Sequence, residues 1–244
     1  MTPLAFLHGV GGNHAVWDRQ LPYFAGLGYD ARAWDQPGYG GSPTVEPYDL
    51  AQVADALLRW LPAEPAVVVG HSMGGFVAQE AYTRFPERFR ALVLSFTSAS
   101  FGGAGSDFAR QFIAARIAPL EQGKTMAEIA ARVIPTMRGT RSRGDGVALA
   151  QRVMSEVPPD TYRKAVHLLT TFDQRARLAA ISVPTLVLAG SDDRVAPAAV
   201  MEKMAARIPG AEYVCLEGCG HLGPMDQPEA FSEALAAFLK RHQL

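Results

Sequence analysis

The most constraining feature of this 244-residue chain is a run of three valines that leads directly into a serine flanked by glycines. The run from Val67 to Val69 is short, apolar and β-branched, which is typical of a strand buried on both faces of a parallel sheet. Next come Gly70-His71-Ser72-Met73-Gly74 and a helical pattern over Gly75 to Phe85. A G-x-S-x-G turn between a strand and a helix lifts the serine hydroxyl above the sheet. The sequence therefore predicts an α/β protein with Ser72 as a candidate nucleophile.

Similar short apolar runs recur along the chain between helical patterns. They are Leu4 to Leu7, Ala91 to Phe96, Thr185 to Ala189 and Tyr213 to Leu216. Strands that alternate with helices indicate βαβ units, and hence a mostly parallel sheet with helices on both faces. Between about 97 and 178 we find helical patterns and no convincing strand. We therefore expect a core of residues 1–96 and 179–244, with a helical cap (lid) of residues 97–178 inserted into it.

Composition narrows the partners and the setting. The net charge of -1 gives no electrostatic reason to expect nucleic acid or an anionic membrane as a partner. No stretch approaches the 18 apolar residues of a membrane span, and the N-terminal residues lack a signal-peptide pattern. With only two cysteines, a disulfide framework is not expected. We expect a cytoplasmic protein whose partner is a small-molecule substrate.

A serine hydroxyl needs a base before it can attack a carbonyl, and histidine is the natural candidate. His221 lies in a glycine-rich loop after the last apolar run, at the end of a parallel sheet where catalytic groups collect. His71 adjoins the serine, so its side chain is expected to point away from the hydroxyl. His167 and His242 fall within helical patterns. These positions favour His221 as the base.

A carboxylate should orient that histidine. Two candidates, Asp192 and Asp193, follow the run from Thr185 to Ala189. Either one gives the chain order of serine, aspartate and histidine that is typical of α/β-hydrolases. Their adjacency leaves the choice open on physical grounds.

Acyl transfer also needs N–H donors for the negative oxygen that develops. One expected donor is the backbone N–H of Met73, directly after the serine. The glycine-rich loop from His8 to Asn13 can supply another, and Val10 is our choice within it. A phosphate-binding loop is the alternative, but no Gly-Lys-Ser/Thr follows the glycines. Zinc at Cys215, Cys219 and His221 would lack a second ligand pair, so no metal is expected.

Taken together, these motifs resemble the α/β-hydrolase superfamily along the whole chain. The resemblance rests on His8-Gly9, Asp35 to Ser42 (D-x-x-G-x-G-x-S), Gly70 to Gly75, Val183 to Pro197, and Gly220-His221. It implies the α/β-hydrolase fold, points to Asp193 as the acid and implies no cofactor. The helical insertion is similar to the cap of small esterases, enol-lactonases and carbon–carbon bond hydrolases. Dehalogenase-like and epoxide hydrolase-like relatives differ, since they have an aspartate at the position of Ser72.

The cap is basic, with twelve Lys/Arg against seven Asp/Glu between residues 107 and 177. Arg138, Arg141 and Arg143 concentrate this charge, which could steer an anionic substrate. The ordinary alternative is a solvated loop. Together with His8 and Gly9, these arginines are the candidate substrate-binding residues.

The predicted function is a serine hydrolase that cleaves a small carboxylic ester or lactone through an acyl-enzyme. Two alternatives stay open. The first is a C–C bond hydrolase of a ketonic ring-fission product, which would use the same serine, aspartate and histidine. The second is a ligand-sensing member of the fold without catalysis, because a fold does not fix a function.

Overall fold

The computed structural model describes all 244 residues, and a six-stranded sheet lies at its centre. The strands are β1 (Pro3–Leu7), β2 (Asp30–Trp34), β3 (Ala66–His71), β4 (Phe89–Ser95), β5 (Thr185–Gly190) and β6 (Glu212–Leu216). They are arranged in the order β2-β1-β3-β4-β5-β6, and every neighbouring pair is parallel. The predicted α/β class is therefore confirmed, with a sheet that is wholly parallel.

The central strands form because their residues are apolar on both faces. All six residues of β3 and all six of β5 are buried. The edge strand β2 differs, because its sequence Asp-Ala-Arg-Ala-Trp buries only Trp34. An edge strand keeps contact with solvent and can carry charges, which also blunt pairing with other chains. This is why an apolar run does not mark β2 in the sequence.

Ten α-helices surround the sheet or lie over one edge of it. They are α1 (Gln20–Gly26), α2 (Leu50–Trp60), α3 (Met73–Arg84), α4 (Asp107–Glu121), α5 (Met126–Val133), α6 (Gly144–Ser155), α7 (Pro159–Leu169), α8 (Ala198–Ala205), α9 (Gly223–Asp226) and α10 (Pro228–Arg241). None of them combines the length and apolar character that crossing a membrane would require.

The segment between β4 and β5 contains helices α4 to α7 and no strand of the sheet. Its β-structure is limited to an isolated antiparallel bridge between Ser100 and Asp173, near its two ends. Helix α5 begins with a reciprocal pair, in which Thr125 accepts from the Glu128 N–H and Glu128 accepts from the Thr125 N–H. Apolar residues of these helices line the same cavity as Ser72, so this segment covers the end of the sheet that bears the serine.

Candidate active site

The serine turn is held in a conformation that few residues tolerate. Ser72 lies between β3 and α3 with φ 53° and ψ -119°, a strained backbone for a residue with a side chain. A Cβ on Gly70 would lie 2.5 Å from the carbonyl oxygen of Gly74, and one on Gly74 would lie 2.4 Å from that of Leu7. Both glycines are therefore required sterically.

Three side chains form a continuous hydrogen-bonded chain at this turn. The Oγ of Ser72 lies 3.0 Å from Nε2 of His221, and Nδ1 of His221 lies 2.8 Å from Oδ2 of Asp193. The second oxygen of Asp193 accepts from the backbone N–H groups of Val195 and Ala196. Burial would raise the pKa of Asp193, but His221 and the two N–H donors outweigh it and lower the pKa below its usual value. The carboxylate is thus held ionised beside the imidazole.

The neighbouring aspartate points elsewhere. Oδ2 of Asp192 accepts from both the backbone N–H and the hydroxyl of Thr140, each at 2.7 Å. These bonds lower the pKa of the Asp192 carboxyl, which lies towards solvent. The geometry therefore separates the two aspartates that the sequence left equivalent: only Asp193 contacts His221.

The loop of His221 is pinned on both sides of its backbone. Its carbonyl oxygen accepts from Nε2 of His71 at 2.8 Å, and its N–H donates to the carbonyl of Met137 at 2.9 Å. Burial lowers the pKa of His71 to about 3, so this histidine stays neutral and keeps its Nε2 proton for that bond. His71 thus supports the loop of His221, a role that its position next to Ser72 did not suggest.

The glycine-rich loop after β1 lies against the serine. A Cβ on Gly9 would come within 3.0 Å of the Ser72 Cβ. The N–H of Val10 donates to no backbone or side-chain acceptor, while its carbonyl accepts from the Tyr39 hydroxyl at 3.0 Å. Met73 is the first residue of α3, so its N–H also has no intrahelical acceptor. Both N–H groups are available to a ligand at the serine.

The sequence predicts that His8 binds substrate, and the structure places its side chain behind the glycine loop. This side chain is fully buried and does not line the cavity that contains Ser72. Its Nε2 accepts from the N–H of Gln36 at 3.1 Å, and its Nδ1 donates to the carbonyl of Gly9 at 2.8 Å. Burial lowers its pKa to about 4. His8 therefore holds the glycine loop in place from behind, and only Gly9 of the predicted pair faces the cavity.

The serine opens into a cavity of about 100 Å³ between the sheet and helices α4 to α7. That volume has room for roughly seven to ten water-sized groups. Most of its walls are apolar, with Phe76, Phe96, Ile134 and Met154 among them. The cavity at Ser72 is therefore small and mostly apolar.

The predicted basic residues Arg138, Arg141 and Arg143 do not line this cavity. Arg138 lines a separate surface cleft, and Arg143 pairs with Asp145 and Glu229. Arg141 is fixed through its backbone, since its N–H donates to the carbonyl of Gly218. They occupy the outer side of the cap because their loop packs on the loop of His221.

Arg116 of α4 is the arginine that does line the cavity. In the sequence, Arg116 is only one of the twelve basic residues of the cap. The signal that could have found it is its place among apolar helical residues, away from the cluster of arginines.

The two cysteines do not form a metal site with His221. Cys215 is exposed and Cys219 is buried. No three His, Cys, Asp or Glu side chains come together in an arrangement that could hold a metal ion.

The parallel sheet, the strained serine turn and the buried histidine on a loop beyond β6 define an enzyme of the α/β-hydrolase type. A family model described as the alpha/beta hydrolase family matches residues 4–234, and the chain belongs to this family. The resemblance inferred from the sequence motifs is thereby confirmed.

Relatives with different reactions match almost the whole chain. A 3-oxoadipate enol-lactonase 2 from Acinetobacter baylyi is 31% identical, over 98% of this chain and 88% of its own. A putative non-heme bromoperoxidase, BpoC, from Mycobacterium tuberculosis is also 31% identical, over 97% and 93%. The solved structure of a malate-bound thermophilic esterase from Thermogutta terrifontis superposes with a TM-score of 0.88 at 26% identity, covering 100% of this chain and 91% of that one. The relatives support a hydrolase that acts on small molecules.

Proposed function

We propose that this protein is a cofactor-independent serine hydrolase that cleaves a small carboxylic ester or lactone through an acyl-enzyme. The observation that carries the proposal is the chain of hydrogen bonds from Ser72 through His221 to Asp193 at the wall of an apolar cavity. The esterase and enol-lactonase among the relatives support the same class of substrate.

In the proposed first step, His221 removes the proton from Ser72 as Oγ attacks the substrate carbonyl. Nε2 accepts this proton, and the ionised Asp193 stabilises the imidazolium that results. The negative oxygen of the tetrahedral intermediate would accept hydrogen bonds from the N–H groups of Met73 and Val10. His221 then gives its proton to the leaving alcohol or enol oxygen, which leaves an ester on Ser72.

In the second step, a water molecule loses a proton to His221 and attacks the acyl-enzyme. The tetrahedral intermediate collapses, the proton returns to Ser72, and the acid product leaves. For a lactone, the leaving oxygen stays attached to the acyl group, so ring opening yields a single product. Apart from the substrate and this water molecule, each step uses only side chains and backbone groups of the chain.

The test is reaction with a fluorophosphonate probe, read by intact mass. We expect one adduct on the wild-type protein, none on Ser72→Ala, and a reaction at least about 100-fold slower on His221→Ala, because the hydroxyl loses its base. His242→Ala is the matched control, since His242 pairs with Glu212 and neither residue lines the cavity. A folded wild-type protein that forms no adduct would reject the proposal in favour of a ligand-sensing role.

A further inference from the structure

The cavity at Ser72 contains one residue with a permanent charge. Among its lining residues there is no aspartate, glutamate or lysine, and the single arginine is Arg116. Its partly buried side chain extends from α4 among aromatic rings of the same wall. The guanidinium carbon lies 5.4 Å from the centre of the Phe112 ring. Burial raises the pKa of Tyr162, and the positive charge of Arg116 opposes that rise, so the charge lies close to this second ring.

Arg116 forms no ion pair with a carboxylate, and among the five Lys/Arg of the cap without one it alone lines the cavity at Ser72. Seven Lys/Arg side chains between residues 107 and 177 form ion pairs with carboxylates: Arg110, Lys124, Arg143, Arg152, Arg163, Lys164 and Arg175. Those pairs lie on the surface. Arg116 instead lines an apolar cavity whose wall contains no Asp or Glu to balance its charge.

We propose that Arg116 binds a carboxylate of the substrate, so that the preferred ester or lactone carries a negative charge. A cation among apolar walls is poorly solvated and gains most from an anion that enters the same space. The planar guanidinium can donate two parallel hydrogen bonds to a carboxylate, a geometry that lysine cannot reproduce. This assignment rests on the proposed hydrolase function, and it names the substrate class of that site.

The test compares two methyl esters of the same size and shape. Monomethyl glutarate carries a carboxylate at its far end, and its primary amide carries a neutral group there. We expect the wild-type protein to hydrolyse the acid with the higher kcat/KM. Arg116→Gln should lower kcat/KM for the acid by about 10- to 100-fold, since hydrogen bonds to charged groups are the strong ones. The amide should change by less than about threefold, and Arg116→Lys should fall between.

Arg110→Gln is the matched control, because it removes one positive charge from the same helix but outside the cavity. A wild-type protein that does not prefer the acid would overturn the proposal. Equal losses for both esters in Arg116→Gln would also overturn it, because they would indicate a structural role.

Calorimetric binding of both esters to Ser72→Ala separates this proposal from the hydrolase function. If no ester is turned over but the acid binds more tightly than the amide, and only while Arg116 is present, the carboxylate site stands and the hydrolase function fails. If aryl acetates are turned over while the acid binds no better than the amide, the reverse holds.

Discussion

At the residue scale, two adjacent carboxylates do different work. Asp193 turns inward and contacts His221, while Asp192 turns outward and holds Thr140. The local sequence does not decide which aspartate contacts His221, because adjacent side chains in a turn can point in opposite directions. The family resemblance points to Asp193, which is the aspartate that contacts His221.

A pair of substitutions tests this division. Asp193→Asn should lower kcat by roughly a thousandfold or more, because the imidazole loses the charge that orients and stabilises it. Asp192→Asn should stay within about threefold of wild type, since an amide oxygen can still accept from Thr140 and the site lies near the surface. The measurement is steady-state hydrolysis of an aryl ester by both folded variants. Similar losses in the two would contradict the assignment.

At the element scale, the loop from Met137 to Arg143 connects the cap to the catalytic loops. Its backbone contacts the loop of His221 at two points, through the carbonyl of Met137 and the N–H of Arg141. The side chain of Thr140 adds the contact to Asp192. The basic sequence predicts that this loop steers an anion. In the structure, the backbone of the loop packs against the loop of His221. Packing between residues that are far apart in the sequence leaves no local sequence pattern. For the same reason, the sequence does not show that Arg116 lines the cavity.

Gly139 and Gly144 provide a matched test of that docking. A Cβ on Gly139 would lie 2.3 Å from the carbonyl oxygen of Gly218 and 2.4 Å from the backbone nitrogen of Gly220, whereas one on Gly144 meets nothing within 4 Å. Gly139→Ala should therefore destabilise the fold by about 1–3 kcal/mol. It should also lower kcat by about 10- to 100-fold, because a small shift of His221 misaligns the base.

Gly144→Ala should leave kcat unchanged and stabilise α6 slightly, since alanine is the better helix former. Urea unfolding and aryl ester hydrolysis measure the two effects. If the two variants behaved alike, the loop would not be holding His221 in place.

At the scale of the whole molecule, two buried histidines, His8 and His71, support the loops of the candidate site. The central strands of the sheet and most of the candidate site residues could be predicted from the sequence. Buried parallel strands and the glycine-flanked serine turn both have distinct local sequence patterns. The supporting residues His8 and His71 were not assigned their roles, since only the folded chain shows what a buried imidazole contacts. Their burial has a consequence for stability that extends beyond the site.

Stability should decrease as the pH falls from 7 to 5. The folded pKa values are about 4 for His8 and about 3 for His71. Between pH 6.5 and 4, these two histidines therefore become protonated in the unfolded chain but stay neutral in the folded protein. Each histidine then lowers the free energy of unfolding by about 1.4 kcal/mol for each pH unit below 6.5, which is about 2 kcal/mol at pH 5. Asp226 acts in the opposite direction, because burial raises its folded pKa to about 6 and the folded protein gains about 1.4 kcal/mol by pH 5.

We therefore expect the free energy of unfolding of the wild-type protein to fall by about 2–3 kcal/mol between pH 7 and pH 5, measured by urea unfolding at each pH. His71→Gln keeps a donor for the carbonyl of His221 but cannot titrate, so its loss should shrink to about 1 kcal/mol or less. Asp226→Asn removes the opposing gain, so its loss should grow to about 4 kcal/mol. Comparing the pH dependence within each variant cancels any change in its overall stability. An equal pH dependence in all three proteins would mean that these buried groups do not control acid stability.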